Sequence, residues 1–153
     1  MSKDVMIVSR QNERIREAKR LNQKKYRDQL AKFCLEGVRL VEEALLTPLV
    51  EHLFFTERLI NSSRGVKLIE RALGQNIPIF ECTDNVLSAL TQTVNSQGVV
   101  AVVNKPTWSQ VTQGLVLVAD EIQDPGNMGT LLRTAVGAGV QGLFVGEGSV
   151  DLY

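Results

Sequence analysis

The chain has 153 residues, 44% hydrophobic and 22% charged, with 17 basic and 17 acidic side chains; this is ordinary globular composition and excludes a disordered or low-complexity chain. No apolar run reaches the roughly 18 residues that cross a bilayer, and no signal-peptide core follows the N-terminus. Two cysteines, Cys34 and Cys82, and a single histidine, His52, argue against a disulfide framework and a metal site, and the cysteines read as small buried residues of a cytoplasmic protein.

The zero net charge hides a gradient. Residues 1–39 carry 11 Lys/Arg against 5 Asp/Glu, a net +6, and the remainder carries 6 against 12, a net −6. Such asymmetry points to a polyanion at the amino-terminal end.

A strand-like start at "MIVSR" leads into a helix through "QNERIREAKRLNQKKYRDQLAKF", with Ser9 as its expected N-cap. At roughly 100° per residue, Ile15, Ala18, Tyr26, Leu30 and Phe33 share one face, Arg16, Arg20, Lys24 and Arg27 line a neighbouring one, and a break is expected near Lys24. Segments then alternate. "FCLEG" reads as a strand, "VRLVEEALL" as a helix ended by Pro48, "VEHLFFT" as a strand and "SSRGVKLIERALGQ" as a helix closing at Gly74. "IPIFECT" reads as a strand, "DNVLSALTQ" as a helix capped by Asp84, and "GVVAVV" as a strand. The alternation predicts an α/β sandwich over residues 1–104.

"NKPTWSQVTQG" is polar and broken by proline and glycine, and predicts a linker over 105–113. Its Trp108 reads as a packing residue in preference to a base-stacking platform. From 114 to 153 come a strand apolar enough to be buried on both faces, "GLVLVADEI", then "DEIQDPGNMGTLLRTAVGAGV", then a strand, "GLFVGEG". This single β-α-β unit has too few elements to bury a core of its own.

"DPGN" predicts a sharp turn, with Asn127 capping the helix that follows. Met128, Leu131, Leu132, Ala135 and Val136 recur as an apolar stripe, and Gly129, Thr130, Arg133, Thr134 and Gly137 take the opposite side. That side is nearly flat, open to close approach by a backbone or a ligand. Arg133 offers a fixed fork of donors suited to phosphate or carboxylate; a surface arginine on a domain-packing face is the equal alternative. "GAGVQG" matches a dinucleotide fingerprint by letter, but it follows a helix and precedes a strand, so helix termination explains it better.

The stretch "DEIQDPGNMGTLLRTAVGAGV" resembles motif 1 of the SpoU/TrmH family of RNA ribose 2′-O-methyltransferases, in the SPOUT superfamily. Upstream, "SRQNERIREAKRLNQKKYR", "FCLEGVRLVEEAL" and "SQGVVAVV" resemble, in order, the substrate-binding domain of ribosomal-RNA members. The resemblance implies an RNA-binding α/β sandwich like that of certain ribosomal proteins, then the start of a knotted methyltransferase domain. It implies Asn127 and Arg133 in the active site, S-adenosylmethionine as methyl donor, ribosomal RNA as partner and a homodimeric complete enzyme. On this reading Arg16, Arg20, Lys24, Lys25, Arg27 and Arg39 contact RNA phosphates; a merely solvated helix face is the alternative. The sequence stops at "SVDLY", before the family's donor-binding loops, and is expected to be a fragment, inactive alone. A non-catalytic module for structured RNA is the competing function.

Overall fold

A computed structural model describes residues 6–93, 95–109, 111 and 113–153. It contains two compact units, one ending at Pro106 and taking in Tyr153, the other covering Thr107–Leu152. The expected linker over 105–113 spans that division, and its residues 110 and 112 lie outside the described residues.

The first unit is organised by its last strand. Strands β1 (Lys32–Glu36), β2 (Val50–Phe55), β3 (Ile79–Glu81) and β4 (Val99–Asn104) form one sheet in the order β1-β4-β2-β3. β4 runs antiparallel to both of its neighbours, and β2 and β3 are parallel. "VVAVV" is buried on both faces, each residue at most 2% exposed, so each face needs a cover. Val99, Ala101 and Val103 join a core with α3 (Val38–Ala44), α4 (Glu57–Ile60) and α5 (Ser63–Gly74). Val100 and Val102 join a second core with α1 (Glu13–Arg20) and α6 (Asp84–Leu87). The helices thus lie on both faces of the sheet. Gly65 permits the close turn from α4 into α5, since a Cβ there would lie 1.9 Å from the Leu59 carbonyl oxygen.

The amino-terminal helix is two helices. α1 ends at Arg20 and α2 covers Lys24–Leu30. The break rotates the second half, so the expected apolar face does not run through: Ile15, Ala18 and Leu21 are buried, Tyr26 is half-buried and Leu30 exposed. Phe33 lies in β1. Asn12, not Ser9, caps α1, its side-chain oxygen accepting from the Arg14 N–H at 3.0 Å. Ser9 serves the preceding turn and accepts from Gln11 N–H. Thr83, not Asp84, caps α6 through its hydroxyl. The strand-like start is a single parallel bridge between Ile7 and Cys82.

β2 carries an irregularity that repositions one residue. Val50 pairs with Val103 and His52 with Val102, leaving Glu51 as a bulge. The extra residue inverts the alternation, so Val50 shares a face with Leu53 and Phe55 while His52 shares the other with Phe54. Its ring meets Phe54 and Phe80 edge-on at 5.0 and 5.6 Å. Nε2 is buried without a hydrogen-bond partner, and Nδ1 lies 3.3 Å from the Glu51 carboxylate.

The second unit holds β5 (Val116–Ala119), α7 (Pro125–Gly137) and β6 (Gly142–Val145), with β5 and β6 parallel. The order strand, helix, strand is the expected one, but the burial is not. Val118 is 67% and Phe144 51% exposed, because a two-stranded sheet covered by one helix leaves its other face bare. Trp108, expected to pack, is 80% exposed.

Ala31 ends α2 in the left-handed region at φ 51°. Ala31→Gly is expected to raise stability by about 0.5–1 kcal/mol, read from the urea midpoint. Burial holds the His52 pKa below its ordinary 6.5, against the opposing pull of Glu51, with Lys32 and Arg14 adding to the lowering. The unfolded chain therefore takes up the proton first, and stability present above pH 6.5 is lost as pH falls below it. His52→Phe should flatten that part of the profile, measured by urea unfolding at a series of pH values.

Candidate functional site

Two surfaces carry the candidate residues, one in each unit.

In the second unit, the candidate site is built on the start of α7. Proline at the first helical position has its torsion preset, so the helix begins at Pro125, inside the segment expected to be a turn. Asp124 is the cap, its Oδ1 accepting from the Asn127 N–H at 2.7 Å. Asn127 is therefore the third helical residue and not the N-cap, and its exposed amide side chain is left to outside partners. The preceding loop is tied to the segment after β6. Gly146 N–H donates to Ala119 O at 2.7 Å, Val150 N–H to Ile122 O at 2.8 Å, and Ile122 N–H to Ser149 Oγ at 3.1 Å. A Cβ at Gly146 would come within 2.4 Å of Asp120 Oδ1, so a larger residue there would displace that carboxylate.

Met128 and Ala135 are the buried members of the expected α7 stripe. Leu131 and Leu132 are half-buried, and Val136 is 79% exposed, because α7 covers only two short strands. The other side is as bare as its composition suggests. Thr130, Arg133, Thr134 and Gly137 are exposed and Gly129 half-exposed. Thr130 and Thr134 turn their hydroxyls onto the Gly126 and Thr130 carbonyls at 2.9 and 3.0 Å, which keeps the surface low. Arg133 is the one cation on it, and its Nη2 donates to Thr130 Oγ1 at 3.2 Å. The sequence pattern marks Thr130 only as a small residue of the face; its i, i+3 spacing from Arg133 is the signal of the contact.

In the first unit, Arg16 and Arg20 are exposed on α1, and Lys24 and Lys25 are exposed on the first turn of α2. The Arg20 guanidinium lies 5.7 Å from the Tyr26 ring centroid, and Lys24 pairs with Asp28 at 3.2 Å. Arg27 is half-buried, and its Nη1 donates to the Leu21 carbonyl at 2.9 Å, closing the α1–α2 break. Arg39 stands apart, on α3 and hence across the sheet from α1, beside Glu43 at 3.4 Å. Asp28 also takes Lys105 Nζ at 2.7 Å, and hydrogen bonds from Lys105 and Lys24 hold its carboxyl below the usual range. Arg14 stacks on Phe80, 4.5 Å from the ring centroid, extending the cationic surface of α1 by a residue the stripe did not include.

The cysteines are free thiols, Cys82 buried and Cys34 half-buried. Burial pushes both up to about 12, so neither is a thiolate nucleophile near neutrality. Among the described residues no group of His, Cys, Asp and Glu is arranged to hold a metal ion.

Residues 12–101 match the MRM3-like substrate binding domain family. The chain is 35% identical over 147 residues to the 23S rRNA (guanosine(2553)-2'-O)-methyltransferase RlmP of Bacillus subtilis (strain 168), covering 96% of this chain and 56% of that one. It superposes on the crystal structure of an RNA 2'-O ribose methyltransferase with a TM-score of 0.74 at 31% identity, over 97% of this chain and 58% of the other. An AdoMet bound rRNA methyltransferase from Sinorhizobium meliloti matches with a TM-score of 0.74 at 27% identity, over 96% and 56%. The chain thus spans about half the length of the relatives it matches.

Proposed function

The chain belongs to the SpoU/TrmH family of RNA methyltransferases, and from that premise we propose that it is the amino-terminal, RNA-engaging portion of an enzyme that moves a methyl group from S-adenosylmethionine to a ribose 2′-hydroxyl of ribosomal RNA. The observation that carries this reading is Arg133, an exposed guanidinium on an otherwise small-residue helix face. A guanidinium stays protonated at any physiological pH, so it donates and does not act as the base. Arg133 would grip a phosphate beside the target ribose and offset charge growing on the 2′-oxygen as its proton leaves. Asn127, six residues before Arg133 on the same helix, offers an amide that both donates and accepts.

S-adenosylmethionine, when bound, supplies the electrophilic methyl group. Residues 107–152 do not fit it alone: two strands and one helix form an open wall, whereas a ligand of this size needs most of its surface enclosed. The donor pocket, its knot and the dimer contacts are assigned to parts of the enzyme outside these residues. The α1–α2 surface is assigned to RNA phosphates through Arg16, Arg20, Lys24 and Lys25, with Arg27 shaping the corner from beneath and Arg39 a separate contact. A second reading, a non-catalytic module for structured RNA, draws on the basic residues exposed along α1 and α2.

Filter binding of this chain to a structured ribosomal-RNA fragment tests the surface. Four phosphate contacts give a log–log salt slope of roughly −3, and Arg16→Ala with Lys25→Ala should reduce it by about half; an unchanged slope would remove this surface. Arg133→Ala in the longest product of the gene should cut methyl transfer by about 10²-fold or more with the melting temperature unchanged. Turnover at the normal rate would take Arg133 out of the mechanism, and absence of transfer by the unaltered protein would favour the module.

A further inference from the structure

Resting on the assignment of Arg133 to the active site, we propose that Thr130 is a positioning residue that seats the Arg133 guanidinium for the target ribose–phosphate. Long side chains on a helix point back toward its amino terminus. Arg133 does so, and its Nη2 reaches Thr130 Oγ1, one turn earlier, at 3.2 Å. A threonine hydroxyl has one proton and two lone pairs. Here the proton is committed to the Gly126 carbonyl at 2.9 Å, so the oxygen meets the guanidinium as an acceptor. The helix backbone, and not the solvent, sets the direction of that lone pair.

Nη1 passes over Gly129, where an added Cβ would be 3.7 Å away. A Cβ there would be in ordinary contact, so the anchor of the guanidinium is the Thr130 hydroxyl. Thr134, on the other side of Arg133, spends its own hydroxyl proton on the Thr130 carbonyl at 3.0 Å. One of the five guanidinium donors is used on Thr130, which leaves the others to fork onto a phosphate. A free arginine surrenders rotamer freedom when it engages a ligand; one already held in place surrenders less, and the gain appears in the turnover step.

The test is steady-state methyl transfer by the longest product of the gene, with Thr130→Val, Thr130→Ser, Arg133→Ala and the Val/Ala double variant. Thr130→Val keeps the shape and removes the acceptor. It should lower kcat about tenfold, the scale of one charge-assisted hydrogen bond, with KM for RNA within about twofold and an unchanged melting temperature. Thr130→Ser should recover most of the loss, and Thr130→Val should cost nothing further on the Arg133→Ala background. Wild-type kcat in Thr130→Val, no recovery by serine, or a further loss on the Arg133→Ala background would each overturn the proposal. If Thr130→Val melts early, Thr130→Ala repeats the measurement. Full activity in Arg133→Ala would sink the parent reading instead, so the two failures are distinguishable.

Discussion

The burial of β4 on both faces is the constraint from which the first unit follows. Val99 to Val103 leave almost no surface to water. A strand of this kind is stable only inside a sheet with a cover on each side. β1 and β2 take its two edges, and successive side chains feed two separate cores. The direction of the basic surface is a consequence. α1 seals Ile15, Ala18 and Leu21 onto the Val100–Val102 side, which leaves Arg16 and Arg20 facing out. Charge is thus presented to solvent because an apolar stripe on the same helix is committed elsewhere.

The second unit obeys the opposite logic. Its sheet has two parallel strands, a form usually buried on both faces, yet Val118 and Phe144 remain exposed. What is well determined is local: Pro125 starts α7, Asp124 caps it, and backbone bonds after β6 hold the preceding loop. Those contacts fix where Asn127 and Arg133 project without any further element. The matched family model covers residues of the first unit, whereas α7 lies in the second.

Much of this was legible beforehand. Strands with a run of β-branched residues, such as "GVVAVV" and "VEHLFFT", and helices with a regular apolar stripe, such as Gly65, Leu68 and Ala72 of α5, are written in local pattern. The bare face of α7 is equally local, since it depends on which residues are small. Caps were less legible. Ser9, Asn12, Thr83, Asp84, Asp124 and Asn127 are all competent cap residues, and the choice depends on where the first turn closes. Arg27 and Arg39 belonged by spacing to a basic group, but the α1–α2 break turned one against a carbonyl, and the sheet came between the other and α1.

The sequence by itself determined the alternation of elements, the amino-terminal excess of positive charge and the composition of the face around Arg133, because each depends on residue type and short-range spacing. Tertiary structure alone decided which face of β2 receives His52, which arginine becomes a structural donor, and which apolar residues of the second unit stay wet. The reason is physical: a bulge, a helix break or a missing layer changes the direction of a side chain without changing the residue or its neighbours in sequence.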